Sequence, residues 1–410
     1  MSGDLWSSIR RGAAFKQTGR PEVSDHNIAK SATTEVDVKA APSRRKFLKG
    51  AAIAGAGATA AIAAPHVARA QNTVLKMQGS WGASDVFSDM ARQYADRVGA
   101  MSGGTLTIDY LPAGAVVGAF QVQDACHDGV LDGAHTVTAY WYGKDKAASL
   151  FGTGPVFGAN AAQVLAWIQF GGGKDLYQEL IQDILNLNLV GFFAMPMPTQ
   201  PLGWFNRRVE SVDDMQGLKY RTVGLATDIM QGMGLSVTQL PGGEIVPALE
   251  RGVIEAFEFN NPTSDRQFGA QDVSKHYYLG SFHQAVEFFE IIFNRARFES
   301  LPEEHRAILE YAAEAANTAN YGLAMDRYSA DLQTLINEDG VNVYRTPDSI
   351  MEAQLESWDT VLEGLMQDEY FAKVVESQKA WAERVGFYDM TNTADFKLAY
   401  EHYFPGKLTF

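Results

Sequence analysis

The chain has 410 residues, of which 46% are hydrophobic and 20% are charged, and its formal net charge is −15. This is the composition of a globular protein that is long enough to form two domains. The acidic balance argues against binding to nucleic acid or to an anionic membrane surface. The one cysteine, Cys126, excludes an intramolecular disulfide and is expected to be a small buried residue rather than a nucleophile.

An export signal is predicted in the first 70 residues. A basic region at 43–49, SRRKFLK, precedes a weakly apolar Gly/Ala-rich region at 50–64 and a small-residue cleavage site, ARA, at 68–70. The twin arginine resembles a twin-arginine (Tat) export signal. A membrane anchor is the alternative, but the Gly/Ala-rich region is too short to span about 30 Å of hydrocarbon. The N-terminal extension before the basic region is expected to be disordered.

Removal of this signal would change the charge of the protein. Residues 1–70 contain 11 Lys and Arg against 5 Asp and Glu, so cleavage after Ala70 would leave a net charge of −21 on the part that begins at Gln71. Such a strongly acidic chain is expected to be soluble and exported.

The remaining sequence alternates strand-like and helical patterns. Val86–Met101 has apolar residues at helical spacing, ends before Gly103 and Gly104, and lies between predicted strands at 74–78 and 106–110. Such a βαβ unit predicts a mainly parallel sheet. Further predicted elements are strands at 189–194, 218–223 and 288–293, and helical regions from 303 to about 338 and from 350 to 385.

A faint internal repeat suggests two similar lobes. Residues 124–134, DACHDGVLDGA, parallel residues 247–257, PALERGVIEAF. Each copy predicts a helix, a C-terminal glycine cap and a short buried strand. The first copy runs into TAYWY at 138–142 and the second into EFNN at 258–261. Since ligands bind beyond the carboxyl ends of strands in open α/β sheets, both copies deliver polar and aromatic groups to such a place.

Motifs of catalysis are missing from the sequence. It contains no G-x-S-x-G, no H-E-x-x-H and no Cys/His cluster with zinc spacing. The glycines at 55–57 lie in the predicted export signal, and GGGK at 171–174 lacks the spacing of a phosphate-binding loop. An exported enzyme that acts on an organic acid is therefore the less favoured alternative to a binding protein.

Glu258 is a candidate site residue because it lies between two phenylalanines at the end of an apolar run. A carboxylate in such surroundings is costly unless something pairs with it. One interpretation is a strand-end acid in an ion pair with a neighbour such as Arg266. The other is a ligand-site carboxylate with Arg221 and Gln200 as counterparts. Arg221 ends a predicted strand, where a guanidinium can hold a small carboxylate through two hydrogen bonds, although a surface arginine is the alternative.

The sequence after residue 70 resembles the extracytoplasmic solute-binding proteins of tripartite ATP-independent periplasmic (TRAP) transporters. It is most similar to the branch that binds 2-oxoacids and related monocarboxylates. The segments that carry this resemblance are GLKYRTVG at 217–224, LPGGEIVPAL at 240–249, RGVIEA at 251–256 and EFNNP at 258–262.

The resemblance implies roles for individual residues. Arg221 would clamp the substrate carboxylate. A cation would bridge protein and substrate, held by Gln200, by Glu258 and by the backbone carbonyl of Phe259. Phe259 stands where tryptophan is expected in the closest relatives, which preserves a carbonyl ligand but can alter the shape of the pocket. Asn260, in the same segment, is expected to contact the substrate.

The expected cation is Na⁺, with Ca²⁺ as the alternative. Carboxylate, amide and carbonyl oxygens are the ligands that both ions prefer. Arg221 offsets one substrate carboxylate and Glu258 offsets one monovalent ion, whereas Ca²⁺ would leave one positive charge. A buried set without net charge costs less than a lone buried Glu258.

Aromatic residues near the first repeat are candidates for the opposite wall of the site. These are Trp81, Tyr140, Trp141 and Tyr142. Packing in the core is the equally weighted alternative for each of them. Tyr140 is preferred for a hydroxyl contact to the substrate, and Trp81 is expected to join it.

The predicted fold is α/β, a two-lobed periplasmic binding protein with hinge strands and long C-terminal helices. By the family pattern, lobe I comprises 71–197 plus 287–325, and lobe II comprises 198–286 plus 326–410. The resemblance further implies closure of the lobes on the ligand, delivery to TRAP membrane permease subunits and a helix-swapped homodimer. A binding protein for another organic anion, such as a dicarboxylate or an aromatic acid, remains an alternative.

Overall fold

A computed structural model describes residues 72–155 and 157–408 of the chain. The predicted export signal and N-terminal extension lie outside the described residues. Within these ranges there is no helix that is both long and apolar enough to cross a membrane. The free Cys126 is fully buried, as expected.

The described residues form eleven strands, which belong to two sheets. They are β1 Thr73–Gly79, β2 Leu106–Leu111, β3 Gly133–Val137, β4 Leu189–Met197, β5 Gly203–Phe205, β6 Lys219–Arg221, β7 Ser236–Thr238, β8 Ala256–Phe257, β9 His276–Leu279, β10 Glu287–Asn294 and β11 Asn342–Arg345.

Fourteen α-helices connect or cover these strands in the described part of the chain. They are α1 Val86–Met101, α2 Val122–His127, α3 Ala148–Gly152, α4 Ala161–Phe170, α5 Gly173–Glu179, α6 Ala226–Gly232, α7 Ile245–Glu250, α8 Pro262–Gln267, α9 Ala270–Val273, α10 Arg295–Glu299, α11 Glu303–Asn337, α12 Asp348–Leu365, α13 Glu369–Asn392 and α14 Phe396–Tyr403.

Each lobe is built around one sheet. The first sheet has five strands in the order β2-β1-β3-β10-β4, in which β1 pairs in parallel with β2 and β3, and β10 runs antiparallel to both neighbours. The second has six strands in the order β11-β9-β5-β8-β6-β7, in which β6 is parallel to β7 and β8, and β5 is antiparallel to β8 and β9. The two-lobed α/β fold is confirmed, but the sheets are mixed rather than mainly parallel, because β10 and β5 enter them antiparallel to their neighbours.

The two copies of the repeat occupy equivalent places in the two sheets. The order β2-β1-β3 in the first sheet corresponds to β7-β6-β8 in the second. In each lobe a short helix (α2 or α7) leads through a glycine into the third strand of this set. Both glycines have positive φ, 74° at Gly129 and 70° at Gly252, a backbone conformation that glycine adopts without steric cost. The repeat predicted from the sequence is confirmed in this respect.

Strands β4 and β10 and helix α11 lie where the lobes are connected. The chain leaves the first sheet after β4 and returns to it at β10, and these two strands pair with each other along their length. Helix α11 has 35 residues and packs against β4 and α1 as well as against α8, so it extends along both lobes. Most predicted strand positions agree with these bounds, although the strand predicted at 218–223 is only three residues long, Lys219–Arg221.

The C-terminal helical region differs from the prediction of a single stretch from 350 to 385. It is divided into α12 and α13 because the side chain of Asp368 caps α13 by accepting a hydrogen bond from Phe371 N at 2.7 Å. Helix α12 packs on α6, whereas α13 packs on α4 and α5. Trp381 Nε1, for example, donates to the Gln163 carbonyl at 2.9 Å. The lobe boundaries stay a prediction, and within them α13 contacts helices assigned to lobe I.

Candidate ligand-binding site

Arg221 and Glu258 lie side by side at the carboxyl ends of two parallel strands. Arg221 is the last residue of β6 and is in register with Phe257, the last residue of β8, so Glu258 follows directly. Arg221 Nη1 donates to Glu258 Oε1 at 3.0 Å and to the Glu258 carbonyl at 2.7 Å. Arg221 Nε donates to the Leu240 carbonyl at 2.9 Å. The structure therefore brings together two residues that are 37 positions apart.

This ion pair is buried. The side chains of Arg221 and Glu258 are 1% and 0% exposed. Burial raises the pKa of Glu258, and the guanidinium of Arg221 partly opposes that rise. The nearby Thr222 hydroxyl and Val223 amide also lower this pKa. Glu258 Oε2 nevertheless has no hydrogen-bond partner at normal distance and angle. Glu258 thus has one paired oxygen and one oxygen left for another partner.

The alternative partner named from the sequence, Arg266, is engaged elsewhere. Its side chain forms ion pairs with Asp339 at 2.8 Å and with Asp331 at 3.6 Å. Both contacts are partly exposed, at the surface of the second lobe. Glu258 is therefore not the strand-end acid of a local surface pair.

Glu287 is a site residue that the sequence reasoning missed. It opens β10, its side chain is buried, and its Oε2 accepts hydrogen bonds from Gln200 Nε2 at 2.6 Å and from Asn260 Nδ2. Burial, together with the charge of Glu258, raises the pKa of Glu287 to about 8. The sequence signal that could have identified Glu287 is an acidic residue at the start of a mostly apolar strand. Gln200, Glu258, Asn260 and Glu287 thus form one buried polar cluster with Arg221.

The loop that carries Asn260 is fixed by Asp265, which the sequence reasoning also missed. Asp265 Oδ1 accepts from the backbone amides of Asn260 at 3.1 Å and Asn261 at 3.3 Å, and Oδ2 accepts from Trp204 Nε1 at 2.8 Å. Burial raises the pKa of Asp265 to about 7. Asn261 in turn caps α8 by accepting from Ser264 N at 2.9 Å. Asp265 therefore positions Asn260 through the backbone of the loop.

Two buried oxygens of the cluster have no hydrogen-bond partner, namely Gln200 Oε1 and Glu258 Oε2. Such oxygens suit a hard cation such as Na⁺ or Ca²⁺. Among residues 72–155 and 157–408 there is no group of three or more His, Cys, Asp and Glu side chains placed to hold a metal ion. A cation here would therefore need amide or backbone carbonyl oxygens in addition to carboxylates, which this donor set can supply.

Tyr140 is the first-lobe residue that the sequence favours for contact with the acid. The ring of Tyr140 is half-buried and packs against Phe120 at 4.6 Å and Trp81 at 6.3 Å between centroids. Burial raises the pKa of the Tyr140 hydroxyl, the charge of Arg221 lowers it, and the charges of Glu287 and Glu258 raise it further. Tyr140 thus packs with Trp81 in the first lobe, and the pKa of its hydroxyl responds to the charges of the cluster.

The other aromatic candidates have different surroundings. Trp81 packs in a buried cluster with Phe289, at a centroid distance of 4.4 Å. Trp141 lies in the core of the first lobe, so the core alternative holds for it. The Tyr142 hydroxyl donates to Asp228 on α6 at 2.8 Å. It therefore contacts the second lobe rather than the polar cluster.

A cavity of about 420 Å³ opens between the lobes next to the cluster. Its lining includes Trp81, Asp85 and Ala119 of the first lobe and Gly242, Phe259 and Phe268 of the second. Across the same interface Ser264 Oγ donates to Asp85 Oδ2 at 2.7 Å, and Lys146 Nζ donates to Asp228 Oδ1 at 2.8 Å. These two hydrogen bonds connect the lobes.

This fold, with a buried charged cluster between two lobes, defines an extracytoplasmic solute-binding protein. The family model for bacterial extracellular solute-binding proteins, family 7 (DctP), matches residues 77–373. The chain belongs to this family, whose members serve TRAP transporters and are receptors rather than enzymes.

The names of similar proteins include small organic acids as ligands. A monocarboxylate 2-oxoacid-binding periplasmic protein of Nostoc sp. is 32% identical over 88% of this chain and 98% of its own length. A TRAP periplasmic solute-binding protein from Pseudoalteromonas atlantica, solved with sodium and pyruvate, has a TM-score of 0.74 and 28% identity over 81% of this chain and 99% of its own. A TRAP solute-binding protein from Bordetella bronchiseptica, a dimer solved with calcium and picolinate, has a TM-score of 0.75. It is 26% identical to this chain, and the match covers 81% of this chain and 97% of the other.

Proposed function

We propose that this protein captures a small monocarboxylate, a 2-oxoacid such as pyruvate or a lactate-like acid, together with a cation, and delivers it to the membrane permease of a TRAP transporter. The observation that carries this proposal is the buried Arg221–Glu258 pair at the carboxyl ends of β6 and β8. A guanidinium and a carboxylate held there give one group for an organic anion and one for a metal ion.

Each residue of the cluster has a proposed role. Arg221 binds the carboxylate of the acid. Gln200, Glu258 and the carbonyl of Phe259 hold the cation, which would neutralise Glu258 and attract an oxygen of the acid. The Tyr140 hydroxyl donates to the acid, Trp81 closes the wall of the first lobe, and Asn260 contacts the acid. Glu287, which already bonds to Gln200 and Asn260, is a further candidate for the cation.

Na⁺ remains the expected cation and Ca²⁺ the alternative. With Arg221, a monoanionic acid and an ionised Glu258, one additional positive charge gives neutrality. Glu287 supports the alternative, because an ionised second carboxylate in the same buried cluster would be balanced by a divalent ion. Similar proteins have been solved with each of the two ions.

The cellular location follows from the family and from the predicted signal. Family members are extracytoplasmic, and we propose that residues 1–70 carry a Tat signal that sends this chain to the periplasm. Replacement of Arg44 and Arg45 by Lys should leave the full-length protein in the cytoplasm. Cell fractionation measures this, and unchanged export would contradict a twin-arginine signal.

A homodimer is proposed from the surface of the last two helices. The end of α13 and all of α14 expose large apolar side chains, among them Phe387 at 74%, Phe396 at 72% and Tyr403 at 73%. In α14 no residue is buried. Contiguous apolar surface of this kind marks an interaction site, and a second copy of the chain that exchanges its C-terminal helix would cover it. Light scattering should detect a dimer that Phe387→Asp with Phe396→Asp converts to a monomer.

A thermal-shift panel of organic acids, with and without Na⁺ or Ca²⁺, tests the proposed ligand class. Pyruvate or a similar monocarboxylate should raise the melting temperature in a cation-dependent manner. Arg221→Ala should abolish the shift for every acid. Glu258→Gln should weaken binding chiefly by removing the cation dependence. A shift with dicarboxylates but not monocarboxylates would overturn the proposed ligand class, and an unchanged cation dependence in Glu258→Gln would overturn the proposed site.

A further inference from the structure

The ring of Phe259 is shared by the buried cluster and the 420 Å³ interlobe cavity. The Cζ atom of Arg221 lies over the ring, 5.8 Å from its centroid. Phe259 also lines the cavity, whereas Arg221, Glu258 and Gln200 do not. The ring is therefore in contact both with the proposed carboxylate-binding group and with the open space of the cavity.

The position of this ring is fixed by close contacts at its edge. A Cβ atom on Gly242 would lie 2.4 Å from Phe259 Cε2 and 2.7 Å from Cζ, so only glycine at 242 leaves room for the ring where it stands. Phe268 packs edge to face against it, with centroids 4.9 Å apart and planes at 85°. The side chain of Phe259 is 7% exposed despite its contact with the cavity. A ring held in this way is a wall rather than a mobile surface group.

We propose that the Phe259 side chain is the partition that limits the length of the acid bound at Arg221. This inference rests on the proposed function. An acid whose carboxylate is held by Arg221 has its chain directed toward either the first lobe or this ring. A short chain fits in front of the ring, whereas a branched or aromatic chain needs the space behind it. The cavity is large enough for such a chain, and its lining includes the apolar rings of Trp81 and Phe268 beside polar residues such as Asp85 and Glu244.

The role of the side chain is separable from the proposed role of the Phe259 backbone. Substitution by alanine keeps the carbonyl in place and removes only the ring. The buried cluster then becomes continuous with the interlobe cavity, and a longer acid gains apolar contact there. One methylene group in an apolar pocket changes discrimination by about 10-fold or more, so the gain for a large side chain is measurable.

The test is isothermal titration calorimetry of the wild-type protein and Phe259→Ala with pyruvate, 4-methyl-2-oxopentanoate and phenylpyruvate, at saturating Na⁺ or Ca²⁺. The wild-type protein should bind pyruvate more tightly than either larger acid. Phe259→Ala should shift this preference toward the larger acids by about 10-fold or more, with pyruvate affinity changed less. An unchanged preference in Phe259→Ala, or equal wild-type affinity for all three acids, would overturn the proposal.

Two further variants keep the result interpretable. Glu244→Ala changes another residue that lines the same cavity and keeps the Phe259 and Phe268 rings, so it should leave the preference within about threefold of wild type. If thermal melting shows that Phe259→Ala is unfolded, Phe259→Leu provides the same comparison, with a smaller shift in the same direction. Failure of the wild-type protein to bind any acid would overturn the proposed function itself. Binding with a preference insensitive to residue 259 would overturn the partition alone.

Discussion

Removal of the Arg221 side chain should destabilise the unliganded protein strongly, because it would leave a buried carboxylate without a positively charged partner. Glu258 is fully buried, and its Oε1 has Arg221 Nη1 as partner at 3.0 Å. Loss of one member of such a pair costs about 3–5 kcal/mol. For Arg221→Ala the lost cationic side chain also packs on the Phe259 ring, which places the expected loss toward the upper end of that range.

The double variant Arg221→Ala with Glu258→Gln separates these effects. Because glutamine carries no charge, it should recover roughly 2 kcal/mol or more of the loss caused by Arg221→Ala. Urea unfolding of the apo protein, in buffer without Na⁺ and Ca²⁺, measures the free energy of unfolding of all four proteins in the cycle. Additive losses within about 0.5 kcal/mol would show that the two side chains do not interact, and would refute the pair.

Three other perturbations test further parts of the structure. Burial raises the pKa of Glu290 from 4.5 to about 8, so the proton bound to Glu290 stabilises the folded protein fully below pH 4.5, and this stabilisation is lost as the pH rises through 8. Between pH 5 and pH 8 the free energy of unfolding of Glu290→Gln should therefore rise relative to wild type by on the order of 3 kcal/mol, measured by urea unfolding. Parallel pH profiles of the two proteins would contradict this. Asp228→Asn weakens the contacts with Tyr142 and Lys146 that hold the lobes together. Calorimetry should therefore show about 10-fold weaker binding of the acid, and small-angle X-ray scattering should show a more open apo protein. Unchanged affinity would exclude a role of Asp228 in closure. Gly203→Ala should prevent folding, since φ is +118° and a Cβ would lie 2.1 Å from a backbone oxygen; a wild-type melting temperature would refute that.

The sequence predicted those elements whose signals are local. Helix α1 begins and ends where its apolar spacing and following glycines place it, and Asp85 caps it by accepting from Phe87 N at 2.9 Å. The two repeat copies were recognisable because a glycine of positive φ must follow each short helix before the chain can enter the next strand. The α/β class and the presence of strands at β6 and β8 could therefore be derived without coordinates, although the predicted strand at 218–223 was longer than β6.

The division of the C-terminal region was less predictable. Periodicity predicted a helical region from 350 to 385 without a break, whereas the structure has turns at 366–368. The break depends on a single capping interaction of Asp368 and on the different helices that α12 and α13 contact. Capping residues are also common on exposed helix faces, and only the packing decides which of them ends a helix.

The sequence by itself placed Arg221 at the end of one strand and Glu258 directly after another, and it named them as counterparts in a ligand site. The tertiary structure alone decided that they pair directly, and that Glu287 joins Gln200 and Asn260 in the same cluster. Gln200 and Glu287 are 87 residues apart and meet where the chain crosses between the lobes. Burial and charge pairing are properties of the assembled fold, so no local pattern in the sequence could assign that contact.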